Sequence, residues 1–115
     1  MKDFMLIFLG QDYADLGLSP EQMQARMGAW MTWNAKMREQ GIVKHGDALQ
    51  PPVRRISGAN RVVTDQPGSE IKELIGGYYT ISVADIEAAS VVAQDYPDYD
   101  LGGTVEIREV VVYDF

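Results

Sequence analysis

The sequence predicts a single α+β domain: an antiparallel sheet with both helices on one face. Three observations predict it. Apolar or β-branched runs of strand length alternate with two stretches of helical spacing, in the order β, α, β, short hairpin, β, α, β. The chain has 115 residues and no linker or internal repeat, so residues 1–115 read as one domain. With 46% hydrophobic and 23% charged residues it can bury a core and is not disordered in composition.

Each element has its own signal. Residues 4–9 are continuously apolar and close at Gly10, which predicts a strand buried on both faces. The polar stretch 11–18, with two Asp and a Gly, predicts a loop. Ser19-Pro20-Glu21-Gln22 predicts a helix start: Ser19 caps, Pro20 fits the first helical position, and Gln22 completes a capping box. Helical spacing then places Met23, Met27, Trp30, Asn34 and Met37 on one face, with Met31 and Trp33 flanking it. Gly41 stops this helix, expected over residues 20–40.

Residues 42–49 predict a second strand, which Pro51-Pro52 prevents from continuing. Residues 53–56 and 61–64 flank Ser57-Gly58-Ala59-Asn60, a hairpin turn by composition, and residues 65–69 predict a further turn. Tyr78-Tyr79-Thr80-Ile81-Ser82-Val83 is strand-like. Asp85 is placed to cap a helix over residues 86–95, with Ile86, Ala89 and Ala93 inward and Pro97 ending it. Residues 96–103 predict a loop and residues 105–113 a long last strand.

This order predicts a ferredoxin-like βαββαβ fold with an inserted β-hairpin. The last strand would carry Val110 and Val112 on one face, Val111 and Tyr113 on the other. A sheet apolar on both sides needs a second cover, so a homodimer is expected, as a dimeric α/β sandwich or barrel-like assembly.

Composition also removes function classes. Ten basic residues against seventeen acidic ones give a net charge of −7, which argues against phosphate-driven nucleic-acid binding and against docking on anionic membranes. The absence of cysteine excludes disulfides, thiolate nucleophiles and Cys-ligated zinc, and a single histidine excludes multi-His metal sites. No apolar run reaches the roughly 20 residues of a membrane span. Asp3 interrupts any signal-peptide pattern, so a cytoplasmic location is expected. Nucleotide-binding glycine spacing and calcium-loop patterns are missing, and neither a cofactor nor a metal is expected.

The candidate catalytic residues are His45, Asp47 and Asp65. On a strand, His45 and Asp47 project from one face, and a carboxylate beside an imidazole can orient it for acid–base work. The alternative is an exposed edge histidine near an incidental carboxylate. Asp65 lies with Glu70, Lys72 and Glu73 around a Pro-Gly turn that could aim a carboxylate into a cleft, or could simply cap its own turn. Asn34, Lys72 and Tyr78 are the candidate ligand-binding residues. Asn34 interrupts an apolar stripe, so it either caps backbone in the core or faces a polar pocket. Tyr78 and Tyr79 must point to opposite faces and are not expected to line one cavity.

Several segments together resemble the YCII-related family, in the branch named for an Asp-Gly-Pro-Phe motif. They are the opening Met1-Lys2-Asp3-Phe4-Met5-Leu6-Ile7-Phe8 and the helix start Ser19-Pro20-Glu21-Gln22-Met23. They continue with the Gly-x-x-Leu stretch at 46–49, the block Val63-Thr64-Asp65-Gln66-Pro67-Gly68-Ser69-Glu70-Ile71-Lys72-Glu73 with Gly76-Gly77-Tyr78-Tyr79, and the closing strand at 103–108. Where the motif has Gly and Phe around its proline, this chain has Gln66 and Gly68. The resemblance implies a ferredoxin-like homodimer with a cleft near the subunit interface. Some relatives look like small-molecule enzymes, one of them removing chloride from a chlorinated hydroxyquinol. A His–Asp pair is the suspected centre in the YCII group, for which His45 and Asp47 are the available match. Other members are encoded beside alternative sigma factors, which implies an accessory regulatory role with a sigma-factor-type partner.

Two functions follow as expectations. The first is a non-catalytic homodimeric module that binds a small molecule or a protein partner. The second is a cofactor-independent enzyme, lyase or dehydrochlorinase in type, with His45 as acid or base, Asp47 orienting it and Asp65 as second carboxylate.

Overall fold

The computed structural model describes residues 1–114. Its strands are β1 (Lys2–Gly10), β2 (Val43–Ala48), β3 (Val53–Ser57), β4 (Val62–Gln66), β5 (Leu74–Val83) and β6 (Thr104–Glu109). Its helices are α1 (Pro20–Glu39) and α2 (Ile86–Ala93). Single 3-10 turns lie at Tyr13–Asp15, Gly68–Glu70 and Tyr99–Leu101. Four strands form one antiparallel sheet in the order β2-β5-β1-β6, and β3 pairs with β4 in a separate two-stranded sheet. The architecture is α+β and consistent with a ferredoxin-like fold.

The core lies between the large sheet and the helices. Strand alternation sends Phe4, Leu6 and Phe8 of β1 and Ile81 and Val83 of β5 to the helix side, where they meet Trp33 and Met37 of α1 and Ala89 and Ala93 of α2. The other face of β1 carries Met5 and Ile7, which are only half-buried, so the strand is fully buried on one side and not on both. Thr80 is also buried on that second side, next to His45 in the strand register.

The helix starts form as their sequences dictate. Ser19 accepts from the Gln22 amide at 3.1 Å, and the Gln22 side chain accepts from the Ser19 amide at 2.8 Å, a complete capping box. Asp85 caps α2 through the Ala88 amide. The buried stripe of α1 differs from the expected one. Trp33 and Met37 are buried, whereas Met27 and Met31 are exposed. Met37 is buried as expected, and the helix is rotated so that Trp33, rather than Met27 or Met31, joins it in the core, where its ring removes more surface from water.

α2 ends at Ala93, two residues early, and three other boundaries differ more in consequence. Asp65 and Gln66 belong to β4, not to a turn, because they pair with Arg54 and Val53. β5 begins at Leu74, where it pairs with Gly10 past a bulge at Phe8/Leu9. β6 ends at Glu109: the Val110 amide still donates to the Asp3 carbonyl at 2.8 Å, but β1 offers no further partner beyond Lys2. Val111, Val112 and Tyr113 are therefore exposed and outside any strand. Ile86, expected inward, is also exposed. Among the described residues, no helix is long and apolar enough to cross a membrane.

Candidate functional site

Three strand ends and one helix border an open-sided cavity of about 510 Å³. The end of β1 gives Phe8, Leu9 and Gly10, the start of β5 gives Leu74 and residues 76–79, and the end of β2 gives Gly46, Asp47 and Ala48. Helix α1 closes it with Met27, Trp30 and Arg38. Because it lies at the end of the sheet, residues from both faces border it. Tyr78 and Tyr79 both do so, contrary to expectation, although their hydroxyls point apart to Asp47 and Asn34.

Glycine makes room at this end. A Cβ on Gly46 would lie 2.6 Å from the Tyr78 carbonyl oxygen and would overlap the Tyr79 ring. A Cβ on Gly77 would lie 2.7 Å from the Asp47 carbonyl oxygen. The wall behind is aromatic. Phe8 stacks on Tyr96 at 5.2 Å and meets Trp30 and Tyr79 edge-on at 5.3 and 5.8 Å.

A polar cluster joins the loops at one side of the cavity. The Tyr13 hydroxyl donates to Asp98 Oδ2, and Trp30 Nε1 donates to the Tyr13 oxygen at 2.9 Å and to Asp98 Oδ2 at 3.2 Å. Asp98 Oδ1 is buried without a hydrogen bond, its nearest cation being Arg26 Nη1 at 3.7 Å. Arg26 is held by the Pro97 carbonyl at 2.8 Å and by Asp100. Burial, and then the bond to Asp98, push the Tyr13 hydroxyl well above the ordinary tyrosine range. Burial does the same to Tyr96. With its proton committed to Asp98 and its oxygen to Trp30, Tyr13 latches the loop onto α1 and is not a base at neutral pH.

A second polar group sits at the other side. Asn34 Oδ1 accepts from the Tyr79 hydroxyl at 3.1 Å and from Arg38 Nε at 3.3 Å. Arg38 Nε can only donate, so it fixes the orientation of the amide. Among the described residues Asn34 shows no side-chain bond to backbone. It stands behind two lining residues and does not itself line the cavity.

The other sequence candidates separate. Asp47 lines the cavity and accepts from the Tyr78 hydroxyl at 2.8 Å, a bond that raises the Tyr78 pKa. His45 is exposed and outside the lining, its ring 6.4 Å from that of Tyr78. Asp65 is not aimed into a cleft. It makes a two-point ion pair with Arg54 across β3 and β4, at 2.8 and 3.1 Å, which lowers its pKa. Lys72 is exposed and outside the lining. The described residues hold no group of three His, Cys, Asp or Glu side chains able to grip a metal.

A wider hollow of about 680 Å³ opens at the opposite end of β1. Its charges are already paired, Lys44 with Asp3 at 2.8 Å and Lys2 with Glu109 at 3.7 Å, and it lacks an aromatic wall. The cavity under α1 is the stronger candidate.

Sequence reasoning missed Tyr13, Arg38 and Asp98. Tyr13 and Asp98 lie in stretches read only as loops, and Arg38 was one polar residue among several on a helix. No curated protein is similar enough to the chain to count as a relative. The model of the YCII-related domain matches residues 4–114, almost the whole chain, and the protein therefore belongs to the YCII-related family.

Proposed function

We propose that this chain is a cytoplasmic, homodimeric small-molecule-binding protein. We place it in the Asp-Gly-Pro-Phe branch of the family, with the motif altered to Asp65-Gln66-Pro67-Gly68. The observation that carries the reading is the cavity. Its size lies within the usual 300–1,000 Å³ range of ligand pockets, and its walls are mainly aromatic and aliphatic, with a few converging polar groups. Gly68 supports that wall in its altered form: a Cβ there would lie 2.6 Å from the Pro51 Cβ and 3.1 Å from Leu74 Cδ2, and both of those residues line the cavity.

The second copy is proposed for the sheet face away from the helices, where Met5 and Ile7 are incompletely covered. Any protein that reads ligand occupancy, such as a sigma-factor-type partner, meets a chain of net charge −7 and is favoured if basic. The acid–base alternative needs an imidazole within about 3 Å of its proton. Asp47 reaches the cavity but His45 does not line it, which supports binding over catalysis.

Tryptophan emission tests the reading, because Trp30 lines the cavity and Trp33 lies in the core. A panel of single- and double-ring organic compounds should include members that shift emission in the native chain. The shift should be lost in Trp30→Phe. Saturation at about a hundred times Kd adds roughly 2.7 kcal/mol, several degrees in Tm. Sedimentation of the same samples should give twice the chain mass, reduced to one by Ile7→Glu. A panel that moves neither emission nor Tm removes the ligand reading, and a monomeric native chain removes the dimer.

A further inference from the structure

We propose that Arg38 makes this cavity a site for small organic monocarboxylates carrying an apolar, ring-sized body. The inference rests on the small-molecule reading above and names its ligand class. Four charged side chains line the cavity, Asp12, Arg38, Asp47 and Asp98. The three carboxylates are already engaged: Asp98 by Tyr13 and Trp30, Asp47 by Tyr78 at 2.8 Å, and Asp12 by the Ala14 amide at 3.2 Å.

Arg38 is the cation in the lining, and it has no ion pair among the described residues. Its side chain is exposed, and its one hydrogen bond among the described residues, from Nε, goes to the neutral oxygen of Asn34. That bond leaves Nη1 and Nη2 for a ligand, and a guanidinium fork fits a carboxylate at two points. Asn34 also holds the Tyr79 hydroxyl, so one amide fixes the cation relative to the aromatic wall. A ring lying on that wall can place its carboxylate on Arg38.

The surroundings select a single negative charge. Arg38 is in the last turn of α1, where the helix dipole presents negative potential, and three carboxylates share the lining. One guanidinium balances a monoanion there and leaves a phosphate dianion half uncompensated.

Calorimetry on the 115-residue chain tests this with 2-naphthoate and phenylacetate, their primary amides, and phenyl phosphate. The carboxylates should bind at least about tenfold tighter than the amides. Arg38→Gln should erase that difference between acid and amide, and Arg38→Lys should keep part of it. Equal binding of acid and amide by the native chain, or a preference that survives in Arg38→Gln, overturns the carboxylate assignment and leaves the small-molecule reading standing. Tighter binding of phenyl phosphate than of phenylacetate overturns it in favour of phosphate esters. Binding of none of the probes overturns the carboxylate assignment, and the emission panel then decides the small-molecule reading separately.

Discussion

Asp98 joins three parts of the chain that are far apart in sequence: the Tyr13 loop, the middle of α1 and the loop before β6. It is 7% exposed, so its charge is held by donors rather than by water. Asp98→Ala would leave the Tyr13 hydroxyl without its acceptor and Arg26 without a buried counter-ion, while the Trp30 indole N–H would keep only the Tyr13 oxygen. Such losses cost about 1–3 kcal/mol for each unsatisfied group, so a lower urea midpoint is expected at unchanged m-value. Tyr13 adds a pH signature. Its folded pKa lies above the unfolded value of about 10, so the folded state keeps the proton longer. This stabilisation is complete below pH 10 and is lost as pH rises through the folded value. Stability should fall on the alkaline side in the native chain and less steeply in Tyr13→Phe, the remaining slope belonging to the other raised tyrosines, Tyr96, Tyr79, Tyr78 and Tyr99. Equal slopes in the two proteins would show that the latch does not hold the proton. None of this was legible in Tyr96-Pro97-Asp98-Tyr99-Asp100, because a carboxylate in a loop carries no sequence mark of burial.

At the scale of elements, local chemistry was legible and tertiary choice was not. The α1 start could be read because Ser19 and Gln22 satisfy each other's amides and Pro20 brings no N–H that needs a partner. The buried side of α1 could not, because overlapping apolar stripes of Met and Trp leave the helix's rotation to the sheet it meets. The end of β6 depends on where β1 starts, a partner about a hundred residues away in the chain. The β2–β5 pairing shows the same dependence. Gly46 reads as an ordinary strand glycine, yet its place opposite Tyr79 is what lets that ring lie over the strand. Gly46→Ala should displace Tyr79 from Asn34 and cost about 1–3 kcal/mol by overpacking, measured by chemical denaturation. A change below a few tenths would mean that β2 yields freely at this edge. The same substitution should weaken any cavity ligand, since Gly46 and Tyr79 both line the site.

For the whole molecule, the α+β class and the helices on one face were legible from the order of elements. The site was legible in part: Asp47 and Tyr78 line the cavity, Asn34 stands one layer behind, and His45, Asp65 and Lys72 lie outside it. Sites assembled from strand ends and loops depend on register, which a single sequence does not display. The sheet order has one more consequence, which concerns synthesis rather than function. β1 is made first, but its two neighbours are β5 and β6. At roughly 5–20 residues per second, its apolar side chains and both of its edges stay unpaired for on the order of 5–20 s while the rest is translated. The nascent chain is thus exposed to chaperones and to misassembly through its first strand. Protease resistance of ribosome-stalled chains should arise only once Thr104–Glu109 has cleared the exit tunnel, so the last strand to be made is the one that completes the fold.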